Sequence, residues 1–291
     1  MNRKRLKLLA ALFVIVLLAG TGIAWAIGSD FSLPQRVAAG IPPNDLDYEK
    51  IEFASPSGSA IAGWYFPAAD PIAGVVLLHG VRSNRRGVTN RVPFLHTANY
   101  AALAIDFQAH GESAGDHITF GYLERHDARA AVEWLRGRLP GKKVAVIGES
   151  MGAAAAVMNG SGLGADALVI ETMYPSLSEA VNNRMRDNLG RWGPAFSWVL
   201  LAQTKPRLGF WCSELCPIFK IEEIHAPTFV IAGEKDTYTL LDESKRIFER
   251  AREPKEFWSV ENAKHEDMWV FAKGEYEHHV LDFLSRALKS E

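Results

Sequence analysis

Val144-Ala145-Val146-Ile147-Gly148-Glu149-Ser150-Met151-Gly152-Ala153-Ala154-Ala155-Ala156 is the stretch that decides the fold. Three of its first four residues are β-branched, which suits a buried strand. Its closing alanine run is a strong helix former. A serine flanked by Gly148 and Gly152 stands between the two. A sharp strand-to-helix turn needs small residues on both sides of a serine held in strained dihedrals. Such a turn lifts the Ser150 hydroxyl above the sheet at a helix N-terminus, where the positive end of the dipole favours developing negative charge. Ser150 is therefore the candidate nucleophile.

Working outward, short continuous apolar runs alternate with amphipathic stretches. The runs are Val75–Leu78, Ala101–Ile105, Val144–Ile147, Ala167–Ile170 and Phe229–Ala232. Strands apolar on both faces belong to a parallel sheet covered by helices on each side. Ala128, Ala131, Val132, Leu135 and Leu139 fall on one helical face between two of these runs, and Val280, Phe283, Leu284 and Leu288 do so near the C-terminus. The expected fold class is α/β: a doubly wound, mostly parallel sheet. Tyr48–Phe53 and Ile61–Phe66, joined by the turn Pro56–Ser59, read as an antiparallel pair at its start. Nearly sixty residues then separate Ile170 from Phe229 without a strand pattern. A structureless loop of that length is improbable in a compact domain, so 174–225 is expected to be a small helical lid. The core is thereby split into 48–173 and 226–291, with 29–47 as a linker carrying Gly40, Pro42, Pro43 and Asn44.

A serine hydroxyl is a poor nucleophile until a base takes its proton. Of the nine histidines, His265 lies in the polar loop Glu261–His265, after the apolar run Phe257–Val260 and before the last helix. Loops at the C-terminal edge of such a sheet are where its chemistry is placed. The acid that orients the imidazole is assigned to Asp236, after the run Phe229–Ala232, with Glu171 as the alternative. The order Ser150, Asp236, His265 suits this arrangement. His79-Gly80-Val81 closes the run Val75–Leu78, where half of an oxyanion hole is expected. The donors would be the backbone N–H groups of Val81 and Met151, with the His79 side chain bracing the loop.

From about residue 48 onward the chain resembles the α/β hydrolases, in particular their lid-bearing lipase, esterase and serine-aminopeptidase-like branch. The resemblance rests on Gly148–Gly152 as a nucleophile elbow and on His79-Gly80 as an oxyanion loop. It rests also on Asp106-Phe107-Gln108-Ala109-His110-Gly111-Glu112-Ser113, similar to that family's Asp-x-x-x-x-Gly-x-Ser loop, and on Thr119-Phe120-Gly121-Tyr122. It implies an architectural role for the Asp106–Ser113 loop, no catalytic role for His110, and no metal or organic cofactor. Substrates in that family span esters, thioesters, amides and lipids. The leading expectation is hydrolysis of a small-molecule or lipid carboxylic ester through an acyl-enzyme. A peptidase or amidase, an acyltransferase, or a catalytically silent binding protein are the alternatives. Within the lid, Trp198 and Phe210 are the candidates to line an apolar acyl slot, against a plain packing role.

Residues 1–28 stand apart. Arg3, Lys4, Arg5 and Lys7 form a basic head, followed by an apolar run from Leu8 to Ile27. About 20 such residues span a bilayer as a helix, and the basic head places residue 29 onward outside the cytoplasm. A cleaved signal peptide, with Ala24-Trp25-Ala26 as its processing site, is the competing reading, leaving a secreted or periplasmic enzyme. The membrane is thus an expected partner. Nucleic acid is not, since the net charge is −2. Cys212 and Cys216 stand four apart, a spacing a disulfide tolerates on a helix, and are read as free thiols.

Overall fold

The structure, a computed structural model, describes residues 3–43 and 45–289, so Met1, Asn2, Asn44, Ser290 and Glu291 lie outside the description. Eight strands form one sheet in the order β1-β2-β4-β3-β5-β6-β7-β8. They are β1 (Glu49–Ala54), β2 (Ala60–Phe66), β3 (Ala73–Leu78), β4 (Tyr100–Ile105), β5 (Lys143–Glu149), β6 (Ala167–Glu171), β7 (Thr228–Gly233) and β8 (Lys255–Val260). Strand β2 is antiparallel to β1 and β4, and all other neighbours are parallel. Ten helices accompany them among the described residues: α1 (Arg3–Ser32), α2 (Val92–Thr97), α3 (Glu124–Arg138), α4 (Met151–Val157), α5 (Leu177–Leu189), α6 (Ser197–Leu201), α7 (Thr204–Leu208), α8 (Pro217–Lys220), α9 (Leu241–Arg250) and α10 (Met268–Ala287).

The continuous apolar runs have the cause anticipated for them, since both faces of the sheet are covered. Val76 and Leu78 point into one core with Ala128, Ala131, Val132 and Leu135 of α3 and the alanines of α4. Val75 and Leu77 point into the other with Val92 and Leu95 of α2 and Val280, Phe283 and Leu284 of α10. Each buried Val, Leu or Phe contributes about 1.5–3 kcal/mol relative to exposure. The chain leaves β3 for β4 on one side and later returns to β5 on the other, so the sheet changes winding direction at β3. The crevice at such a switch point is where open α/β sheets bind ligands. Register then fixes which loops meet there. Leu78 pairs with Gly148, Glu149 with Glu171, and Gly233 with Val260, so the loops after β3, β5, β6, β7 and β8 leave the same edge side by side.

The N-terminal segment differs from the sequence reading in extent. Helix α1 continues past residue 28 to Ser32, and the residues after it lie on the body instead of hanging from it. Gln35 donates to the Ala109 carbonyl and accepts from Gly111 N–H, and Ala39 is buried. The pattern of Gly and Pro that suggested a linker marks turns over a surface already bonded to the core. Residues 174–225 form α5 to α8 with short 3₁₀ turns between them. Ser176 caps α5 by accepting from Glu179 N–H, which fixes where this excursion leaves the sheet.

Candidate active site

Ser150 sits at φ 50°, ψ −110°, between the end of β5 and the first turn of α4. A non-glycine residue in that conformation carries strain of about 1–3 kcal/mol. Its two glycine neighbours permit it. A Cβ on Gly148 would lie 2.7 Å from the Ala153 nitrogen, and one on Gly152 would collide with the Leu78 carbonyl. The Ser150 N–H donates to the Glu171 carbonyl at 2.8 Å, which ties the turn to the neighbouring strand.

The three residues named from sequence order meet at one point. Ser150 Oγ lies 3.1 Å from His265 Nε2, and His265 Nδ1 lies 2.8 Å from Asp236 Oδ2. The other Asp236 oxygen accepts from the N–H groups of Tyr238 and Thr239 at 2.8 and 2.9 Å. An acceptor-only carboxylate against Nδ1 requires the proton there, which leaves Nε2 free to accept the Ser150 proton. Lid helix α5 reaches this cluster. Asn183 donates to the Tyr238 carbonyl, Arg184 stacks over the Tyr238 ring, and that ring stands edge-on to His265 at 5.3 Å.

The loop after β3 lies against Ser150. A Cβ built on Gly80 would stand 3.7 Å from Ser150 Cβ, so Val81 follows directly beside the serine. Met151 opens α4, and its N–H has no partner carbonyl one turn back within the helix. Two buried histidines shape this loop. His79 Nδ1 bonds the Gly80 carbonyl, and its Nε2 accepts from Phe107 N–H. Burial holds its pKa well below the usual histidine range, so it is a neutral brace. His110 accepts from Arg82 N–H, fixing the residue after Val81. The Asp106–Ser113 loop is architectural: Asp106 accepts from Arg85 and Glu112 N–H groups, and the Ser113 hydroxyl donates to its carbonyl.

Glu171, the alternative acid, belongs to a different network. Its carboxylate accepts from Arg91 at 2.7 Å and from the Tyr276 hydroxyl. Arg91 also meets Asp267 at 3.0 Å, and Asp267 caps α10 two residues beyond His265. This buried group secures the loop that carries the imidazole. The sequence reading missed it because its members are spread from residue 91 to residue 276 with no local pattern. The one available signal was a lone arginine directly before the apolar helix Val92–Thr97.

Glu149, the residue before Ser150, faces the loop after β3, its Oε1 3.3 Å from a Cβ built on Gly80. Burial pushes its pKa up to about 7. A carboxyl whose folded pKa exceeds its unfolded value favours the fold below the unfolded pKa, and that contribution is lost as pH rises through about 7. Glu149→Gln is therefore expected to match the parent in thermal stability near pH 4.5 and to exceed it increasingly by pH 8, by on the order of 3 kcal/mol at full ionisation. Thermal unfolding of both proteins across that range checks this. A constant gap would show that Glu149 ionises freely.

The structure does not place the two proposed slot residues together. Phe210 is fully buried, stacked on Tyr122 with centroids 4.1 Å apart and packed with Met158, Leu177 and Leu215. A ring with no exposed surface has nothing to offer an acyl chain, so its role is packing. Trp198 is 67% exposed. Cys212 and Cys216 are both free thiols.

The profile of the alpha/beta hydrolase family matches residues 75–276, from within β3 to the first half of α10. The chain belongs to the alpha/beta hydrolase family. This α/β hydrolase is 27% identical over 249 residues to the uncharacterized protein YqkD of Bacillus subtilis, a match covering 81% of this chain and 79% of YqkD. It is similar to the Pyrococcus furiosus esterase Pf2001, with TM-score 0.73 and 26% identity over 89% of this chain and 99% of that one. It is also 24% identical over 206 residues to the lysophosphatidylserine lipase ABHD12 of Danio rerio, covering 67% of this chain and 51% of ABHD12.

Proposed function

We propose that this α/β hydrolase is a serine esterase that cleaves carboxylic esters of short to medium acyl chains. The observation that carries the reading is the continuous line of bonds from Asp236 Oδ2 through His265 to Ser150 Oγ, at 2.8 and 3.1 Å, on a strained turn. His265 takes the Ser150 proton as Oγ attacks the ester carbonyl, and Asp236 stabilises the imidazolium that forms. The N–H groups of Val81 and Met151 hold the oxyanion of the tetrahedral intermediate. His265 then gives its proton to the departing alkoxide, leaving Ser150 acylated. A water activated by the same imidazole attacks the acyl-enzyme, and the serine is released with the acid. The likeness to an esterase at 26% identity supports an ester over an amide.

Helix α1 is read as a retained membrane anchor, with the catalytic domain outside the cytoplasm. Its mean hydropathy reaches 2.4 over the best window, and none of that window is buried. Retention is supported by the packing. Gln203 donates to the Ala24 carbonyl and Arg207 to the Trp25 carbonyl, and processing after Ala26 would separate both residues from their partners.

A panel of p-nitrophenyl esters from acetyl to hexanoyl, run beside aminoacyl anilides, tests the substrate reading. Each buried methylene is worth about 0.8 kcal/mol, so kcat/KM should rise by up to about fourfold per carbon until the acyl site is full. A flat profile, or faster turnover of anilides than esters, would favour a peptidase instead.

A further inference from the structure

The segment 174–225 leaves several large apolar side chains exposed. Leu189, Trp192, Phe196 and Trp198 are 55%, 65%, 55% and 67% exposed, four large side chains within ten residues. Soluble surfaces carry exposed apolar residues singly, and a concentration of them points to an interface. Water is a poor environment for this one, and its position says what replaces the water.

The patch adjoins the base of α1. Gln203 and Arg207, in the next turns after Trp198, hold the Ala24 and Trp25 carbonyls at 3.0 and 2.8 Å. The Arg207 guanidinium also lies over the Trp25 ring, 4.3 Å from its centroid. Lys7 is the last charge of the basic head, and about 20 residues at about 1.5 Å each cross a hydrocarbon core. That count ends near Ile27. The contacts between α1 and the lid thus fall in the last turn of the span, at the outer boundary of the bilayer, and Trp25 is of the type enriched there.

Charge agrees with position. Between residues 186 and 207 the chain has Arg186, Arg191, Lys205 and Arg207 against a single acid, Asp187, in a protein of net charge −2. Arg191 and Lys205 are exposed. Basic side chains beside exposed aromatics are the composition of a surface that lies in the head-group layer of an anionic membrane.

We infer that Leu189, Trp192, Phe196 and Trp198 form a second membrane contact, seated in the outer leaflet beside the α1 anchor. The lid over the Ser150 crevice then rests on the bilayer, so an ester dissolved in the leaflet reaches the site without crossing water. This inference rests on the anchor reading of α1 and is independent of whether the chain is an esterase.

The test uses the full chain with Ser150→Ala, reconstituted in vesicles of phosphatidylcholine and phosphatidylglycerol, so that catalysis plays no part. Tryptophan emission is measured with brominated acyl chains in the bilayer and, separately, with iodide in the water. Trp25→Phe reports on the anchor, and the pair Trp192→Phe and Trp198→Phe on the lid. The expected result is that both sets of substitutions remove bromine-quenched emission and neither removes iodide-quenched emission. Loss of only iodide-quenched emission on replacing the lid pair would overturn the proposal, because those rings would face water. Lid rings shielded from both quenchers would overturn it too, in favour of burial against a second copy of the chain. If Trp25→Phe alone leaves bromine quenching unchanged, the anchor reading has failed instead.

Discussion

Replacing Ser150 by alanine is expected to lower kcat by at least about 10⁴-fold and to abolish labelling by a fluorophosphonate, while leaving the fold intact. The size follows from the position of the hydroxyl, 3.1 Å from His265 Nε2 and at the start of α4. No neighbouring group can take over, since the turn aims this one side chain at the crevice. Alanine also keeps the steric size of the site, so circular dichroism and melting temperature should change little. Turnover undiminished in that variant would end the assignment.

Asp236→Asn is expected to cost about 10⁴-fold in kcat with little loss of stability. The reason lies in the hydrogen bonds on the far side of the carboxylate. Tyr238 and Thr239 direct two N–H groups at Oδ1, so an asparagine must place its oxygen there and its amide NH₂ toward His265. Facing a donor, Nδ1 becomes an acceptor and the proton moves to Nε2. That tautomer cannot accept a proton from Ser150. Glu171→Gln should behave in the opposite way. It removes the charge opposite a buried arginine, and breaking such a pair costs about 3–5 kcal/mol. Asp267 retains part of the compensation, so the folded fraction should keep its activity within about tenfold. Paired measurements of kcat and chemical denaturation on both variants check the contrast. A catalytic loss in Glu171→Gln alone would move the acid role to the adjacent strand.

Much of this architecture was legible before any coordinates. The elbow could be read because its requirements are local: an apolar strand, two small residues and a helix former, all within thirteen positions from Val144 to Ala156. Asp236 and His265 followed because the sheet places its loops in chain order along one edge. What escaped was non-local. The Arg91, Glu171, Tyr276 and Asp267 group is assembled from β6, the loop before α2 and the C-terminal helix, and none of its members sits in a recognisable pattern. The stretch 29–47 read as a free linker because its bonds to the body run from Gln35 to Ala109 and Gly111, more than seventy positions away. Phe210 and Trp198 look alike in sequence, and only the fold shows that one is buried on Tyr122 and the other faces outward. Aromatic content can identify a lid, but it does not say which face each ring takes.

The acyl-enzyme itself offers the most direct measurement. The full-length protein, mixed with p-nitrophenyl butyrate and quenched in acid within its first turnovers, is digested and analysed by mass spectrometry. The account predicts a butyryl group on the peptide containing Ser150, absent from the Ser150→Ala protein and formed far more slowly in Asp236→Asn. An unmodified Ser150 during active turnover, or a butyryl group borne by any other residue, would contradict it.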